Sequence, residues 1–344
     1  MSKNLLLFFV SVVVSLLIGE GILRQTERFA NYCEKIGITC SDSEVNRVPN
    51  PWLWTSNPNS DFAFVSKEFT TAGKINSEGF FGKGFAEQKS DQAFRILFLG
   101  DSFTFGIGSS AGNGFVENLA KHFESQKGPV KIEVMNAGSP GSDPVFYMQI
   151  LKRKMLKYKP DLVVMLMNES DIDDLSRRGG VERFDESGWL KERSRPWFAS
   201  LFRHSMLVRG IFLGLLGYNW ELHSPGESYS KREMAVTELI KTGEEFLKTS
   251  QAEGFSHLVL FHPYPYQFST GVSKELQRVS AGMTQLGVRN TELTNLMTEQ
   301  MPRDQYLDYY WPIDLHYNDK GYLVMANAVL KAMENASLLP KGKK

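Results

Sequence analysis

The sequence predicts an α/β domain built on a doubly wound parallel sheet of about five strands, with helices on both faces, carried behind an amino-terminal transmembrane helix. Three observations predict it. From Phe94 onward, short apolar runs alternate with stretches of helical periodicity. Those runs are apolar throughout, as strands buried on both faces require. Leu5 to Gly19 is unbroken apolar or small sequence, preceded by Lys3. At 344 residues, with 42% hydrophobic and 23% charged positions, the chain can bury one main core and some insertions. Lysine plus arginine and aspartate plus glutamate balance at 39 each, so the bulk positive field needed for non-specific nucleic-acid binding is missing, and nucleic acid is set aside as a partner.

The leader is a membrane-engaging segment. Its apolar run is shorter than the roughly 20 residues that span a bilayer, and Gly21 to Leu23 bring it to about that length. Glu20 and Arg24 are spaced for an ion pair along one helix face, which lowers the cost of a carboxylate near the interface. A cleaved signal would need small residues in an A-x-A-like pattern, and Leu17-Ile18-Gly19-Glu20-Gly21 supplies none, so an uncleaved anchor is expected. Lys3 and the amino terminus oppose Arg24 and Arg28, so charge alone does not orient it. Cys33 and Cys40 are the two cysteines; a small disulfide loop and two separate thiols both remain open.

Residues 1–24 are thus assigned to the anchor, 25–90 to a linker and amino-terminal extension, and 91–338 to the domain, with an insertion at about 175–230. Residues 41–61, rich in Asn, Pro, Ser and Asp, read as an irregular lead-in. Arg95 to Leu99 is the first strand, and Gly112 to Phe123 carries apolar residues at helical spacing. Lys131 to Met135 is a strand, and Pro144 to Tyr158 a helix stopped by Pro160. Asp161 to Met167, His257 to Phe261 and Gln305 to Tyr309 are expected to complete the sheet, and Asp319 to Met333 is the last helix. Within the insertion, Met206 to Tyr218 is apolar apart from Arg209. Core packing is the favoured reading, with a membrane-surface helix or a lid as the alternatives. Lys231 to Lys248 is an amphipathic covering helix.

The chemistry gathers at two points. Gly100-Asp101-Ser102 follows the first strand, at the carboxyl edge of the sheet where open α/β folds bind ligands. Asp314-Leu315-His316 stands directly before the last helix. A serine at neutral pH needs an imidazole to take its proton, and a carboxylate two residues before His316 can fix the ring's tautomer. Ser102, His316 and Asp314 are therefore the candidate catalytic residues. His122, His204, His223 and His257 have no partner at motif spacing and read as structural; His262 ends a strand on the same edge as Ser102. No metal constellation appears, and no cofactor is expected.

These blocks resemble those of the SGNH hydrolases, also called GDSL-like esterases, in a membrane-anchored bacterial branch. Gly100-Asp101-Ser102 matches the first block. Asn136-Ala137-Gly138-Ser139-Pro140-Gly141 matches the Asn-x-Gly-x-x-Gly second block, and Asp314, His316, Asn318 and Gly321 match the fifth. Asn76 to Phe80 and the leader ending Glu20 to Arg24 also look like that branch. The likeness covers roughly residues 75–335. It implies a flavodoxin-like sheet, an extracytoplasmic domain in the periplasm or on the cell surface, and acyl transfer. The expected substrate is an ester, on an acylated glycan or a lipid, whose acyl group is hydrolysed or moved to a sugar hydroxyl. It also implies an oxyanion hole containing the N–H groups of Ser102 and Gly141.

The third block departs from the family's Gly-x-Asn-Asp. The chain reads Asn168-Glu169-Ser170-Asp171, so alignment on Asp171 puts Ser170 where asparagine is expected, and Asn168 is the other candidate donor. A missing oxyanion donor typically costs about 100- to 1000-fold in turnover. Two alternatives to hydrolysis follow: an O-acetyltransferase acting on envelope polysaccharide, and a non-catalytic glycan-binding protein on the same fold.

Overall fold

A computed structural model of the chain describes residues 3–26, 28–30, 35, 47–49, 54–84, 86–126, 128–185, 191, 197–220, 222–302 and 305–340. Cys33 and Cys40 lie outside them, as do Arg193 and Arg195 of the insertion. The chain divides into two compact units, residues 1–40 with 192–231, and residues 41–191 with 232–344.

The larger unit carries two small antiparallel hairpins, β1 (Arg47–Pro49) with β2 (Trp54–Ser56) and β3 (Asp61–Val65) with β4 (Thr70–Lys74). Its main sheet has five strands: β5 (Ala93–Gly100), β6 (Lys131–Gly138), β7 (Leu162–Met167), β8 (Ser256–Phe261) and β9 (Asn290–Glu292). They are ordered β6-β5-β7-β8-β9 and all run parallel, as the doubly wound reading requires. The apolar runs are apolar because both faces are covered. Ile96 and Phe98 pack with the helices Phe115–Ser125 and Asp319–Asn335, while Leu97 and Leu99 pack with the helices on the other side. Parallel pairing of β5 with β6 and β7 puts their carboxyl ends, Gly100, Gly138 and Met167, on one edge.

The fifth strand is not where the sequence reading put it. Gln305 to Tyr309 contains a short 3-10 turn, Tyr306–Tyr309, and β9 is the edge strand instead. Edge position explains the error: β9 is only three residues, Asn-Thr-Glu, with no apolar run to mark it. The tyrosines that imitate a strand serve packing, Tyr306 stacking on Phe268 at 5.8 Å. The helix from Pro144 holds α geometry to Ile150, widens to a π turn over Leu151–Met155 and tightens to a 3-10 turn over Leu156–Tyr158. It stops at Lys159 in the left-handed region, φ 51°, because the residue before Pro160 is barred from the helical well.

In the smaller unit, α1 (Lys3–Thr26) is the one described helix long and apolar enough to cross a membrane. Glu20 and Arg24 pair at 2.9 Å, as their spacing predicts. Ala199–His204 and Met206–Arg209 are short helices, the second running on as a π turn to Leu215.

Candidate active site

Ser102 opens a one-turn helix, Ser102–Phe105, at the end of β5. Two glycines allow that sharp entry: a Cβ on Gly100 would stand 2.0 Å from Thr104 Oγ1, and one on Gly138 2.3 Å from the Phe105 amide nitrogen. Asp101 caps the turn, its Oδ1 accepting from the Phe103 amide at 2.9 Å. The aspartate beside the serine is buried, with its other oxygen accepting from Asn168 Nδ2.

The structure brings the two distant motifs together. The Ser102 hydroxyl lies 2.7 Å from His316 Nε2, and His316 Nδ1 makes a very short contact with Asp314 Oδ1. That network assigns the ring's proton to Nδ1 and leaves Nε2 to accept from Ser102. Asp314 Oδ1 also accepts the His316 amide at 3.2 Å, and its side chain is fully buried. Leu315 between them sits at φ 71°, a left-handed conformation costing a non-glycine residue about 1–2 kcal/mol. Paired backbone bonds hold it there: Leu315 N–H to Trp311 O at 2.8 Å, and Trp311 N–H to His316 O at 2.9 Å.

Residues that the sequence left silent clamp this turn. Glu68, in the β3–β4 hairpin, accepts the Asp314 amide at 2.7 Å and the Ile313 amide at 3.0 Å. Phe69 stacks on Trp311 at 5.4 Å, and Trp311 Nε1 donates to Gly108 O at 2.8 Å. Gly108 itself has φ 94°, and a Cβ there would meet Tyr317 O at 2.5 Å and His316 Cβ at 3.1 Å. Nothing in the sequence links Glu68 to a turn so far along the chain; only the hairpin's packing does. Phe103 fills the floor, its ring 4.6 Å from His316 and 4.5 Å from His262.

The second block forms the loop after β6. Ser139 N–H bonds Gly100 O at 2.9 Å, tying the loop to the end of β5, and Gly141 takes φ 65°. Asn136 organises it from behind: its Oδ1 accepts the Gly138 amide at 2.9 Å, and its Nδ2 donates to Glu117 Oε1 at 3.3 Å. Burial pushes the Glu117 carboxyl up to about 7.

In the third block, Asn168 caps the helix Glu169–Arg178, with Asp171 accepting the Asn168 amide at 2.7 Å to complete a capping box. Burial, and then the Asp101 charge, push the Asp171 carboxyl well above the carboxylate range. Asn168 is almost fully buried, and its Nδ2 meets Asp101 Oδ2 at 2.9 Å and His262 Nε2 at 3.1 Å. Ser170 is half-buried beside it; its hydroxyl and amide both donate to Asn168 Oδ1, at 2.7 and 2.8 Å. His262 is buried under Phe103, and desolvation brings its pKa down to about 4, so it stays neutral. His257 bonds Ser250 Oγ at 3.0 Å and the Arg289 amide at 3.2 Å, at the far end of β8. Among the described residues no cluster of His, Cys, Asp or Glu is arranged to hold a metal ion.

No family model matches the chain, and no curated protein matches it. Solved structures do. A lipase/acylhydrolase from Enterococcus faecalis is 14% identical with a TM-score of 0.43, over 73% of this chain and 99% of that one. A mutant of Axe2, an acetyl-xylooligosaccharide esterase from Geobacillus, is 12% identical with a TM-score of 0.45, over 73% and 97%. A two-domain esterase active on acetylated mannans is 14% identical with a TM-score of 0.40, over 73% of this chain and 52% of that one. In the path of its chain, this protein is similar to solved structures of lipase/acylhydrolase and acetylated-glycan esterase type.

Proposed function

We propose that the protein is a membrane-anchored, extracytoplasmic serine hydrolase or acyltransferase of SGNH type that works on an ester-linked acyl group. The observation that carries this reading is the continuous Asp314–His316–Ser102 hydrogen-bond chain, built from motifs over two hundred residues apart. Ser102 Oγ attacks the ester carbonyl as His316 Nε2 takes its proton. Asp314, buried and paired to Nδ1, stabilises the imidazolium. His316 then returns the proton to the leaving alkoxide, and an acyl group stays on Ser102. Water attacking that acyl-enzyme completes hydrolysis; a sugar hydroxyl attacking it completes transfer.

The developing oxyanion is held by the N–H groups of Ser102 and Gly141, with Ser170 as a third donor. Between the two third-block candidates, cost decides. Turning Asn168 Nδ2 to the oxyanion would strip buried Asp101 and His262 of a partner, whereas the Ser170 hydroxyl only rotates off Asn168 Oδ1, which keeps the Ser170 amide.

The test uses the full-length chain in detergent with an aryl acetate and a serine-reactive phosphonate. Mass spectrometry is expected to place the phosphonate on Ser102. Ser102→Ala and His316→Ala should each remove nearly all turnover, and the double variant should be little worse, because residues that act as a unit are non-additive. A folded wild-type chain that neither turns over ester nor takes the phosphonate would leave the non-catalytic glycan-binding alternative. Adding an oligosaccharide acceptor and comparing transferred with released acetate separates transfer from hydrolysis.

A further inference from the structure

Glu20 lies near the carboxyl end of α1, directly after its apolar run, and the smaller unit uses it as a clasp. Its carboxylate accepts from Ser205 Oγ at 2.8 Å, the Met206 amide at 3.0 Å and the Leu207 amide at 2.9 Å. Arg24 pairs with it and donates to His204 O at 2.6 Å. The first amides of a helix have no partner within it; here a carboxylate from α1 supplies one for Met206–Arg209. Arg209, nearly buried, satisfies its own side from within the unit: Nε donates to Phe202 O and Nη1 to Phe29 O, both at 3.0 Å, with the guanidinium over Trp220 at 5.5 Å. The Glu20 carboxylate and the Arg209 guanidinium are thus paired within the unit, while several large apolar side chains face out. Leu215 is 79% exposed and Trp197 86%, and Leu201, Ile211 and Leu216 are exposed beside them.

We infer that this unit is seated in a lipid bilayer's headgroup boundary, with the Met206–Leu215 segment held on the membrane surface by the Glu20 clasp. The inference rests on the reading of α1 as an anchor. A helix of 24 residues is about 36 Å long and the hydrocarbon core about 30 Å thick. With Lys3 at one boundary, Arg24, about 32 Å along the helix, reaches the other, and Glu20, at about 26 Å, lies just beneath it, so whatever Glu20 holds sits close to that boundary. The exposed side chains of 211–216 therefore continue the lipid-facing surface of α1, and tryptophan is the residue type that boundary favours. Arg24, Arg28 and Arg203 are exposed around the clasp, where lipid phosphates would meet them. Core packing, favoured from sequence for Met206 to Tyr218, gives way to the membrane-surface alternative: Ile211, Leu215 and Leu216 are exposed. The clasp also gives α1 a reason to be retained, because cleavage beyond Glu20 would remove the carboxylate that caps the segment.

The experiment is photolabelling of the unaltered full-length chain, one copy per nanodisc of phosphatidylcholine and phosphatidylglycerol at about 3:1, doped with a lipid carrying a diazirine near the headgroup. Peptide mapping is expected to find lipid adducts in α1 and in residues 211–216. Adducts in α1 alone would overturn the inference and leave the anchor standing; adducts in neither would overturn the anchor itself. Glu20→Ala should keep the α1 adducts and lose at least half of those at 211–216, and undiminished labelling there would sink the clasp. A single copy per disc removes a second chain as the covering partner.

Discussion

At the residue scale, the third block separates two jobs that the sequence left tangled. Asn168 holds buried Asp101 and His262, so Asn168→Ala is expected to lower stability by about 1–3 kcal/mol as those groups lose a partner. Ser170→Ala should leave the melting temperature near wild type and lower kcat by about 100-fold with little change in KM, since that bond matters chiefly in the transition state. Ser170→Asn should raise turnover. Melting curves beside steady-state kinetics decide it: an Asn168→Ala chain that melts normally but has lost kcat would reverse the assignment. Ser102, Asp314 and His316 were legible as candidates because each residue type has a chemical reason to stand in its motif, and the structure brings the three into one hydrogen-bond chain. Glu68 was not, because accepting two amides of a distant turn leaves no trace in local sequence.

At the scale of elements, the site depends on how the β3–β4 hairpin and the last helix meet the 311–316 turn. Loss of the Glu68 carboxylate frees two amides and loosens the left-handed Leu315. Glu68→Ala should therefore lower kcat by about 10-fold, the equivalent of one weakened charged hydrogen bond, with KM nearly constant. A fall in KM matching the fall in kcat would instead point to relieved ground-state strain. The glycine closing the fifth block has a packing reason: a Cβ on Gly321 would stand 2.2 Å from Tyr309 O. Gly321→Ala is expected to cost about 1–3 kcal/mol, read as a lowered melting temperature, because the helix Asp319–Asn335 must move off that carbonyl. An unchanged melting temperature would refute the close approach. Strands with continuous apolar runs were readable in the sequence, and β9 was not, since an edge strand of three polar residues has neither length nor burial to mark it.

For the whole molecule, Glu117 ties stability to pH. Its folded pKa, raised by burial to about 7 from 4.5, means that the folded state binds the proton more tightly than the unfolded one. The sign follows: this group favours folding most at low pH, its contribution declines between pH 4.5 and about 7, and the loss, about 3 kcal/mol, is complete above that. Glu117→Gln should flatten that decline and raise the melting temperature at pH 8 relative to wild type, with little difference near pH 4.5. Equal melting temperatures of the two proteins at pH 8 would show that no such penalty exists. By itself the sequence determined the architecture, the long apolar amino-terminal helix, the Glu20–Arg24 pair and the candidate triad, because apolar periodicity and motif chemistry are local properties of the chain. Tertiary structure alone decided which strand closes the sheet, that Asn168 is committed to Asp101, that a hairpin preceding the main sheet clamps the histidine turn, and that Glu20 caps a segment 185 residues away. Those are contacts between distant segments, and they exist only once burial has brought the partners to one place and removed the water that would otherwise satisfy them.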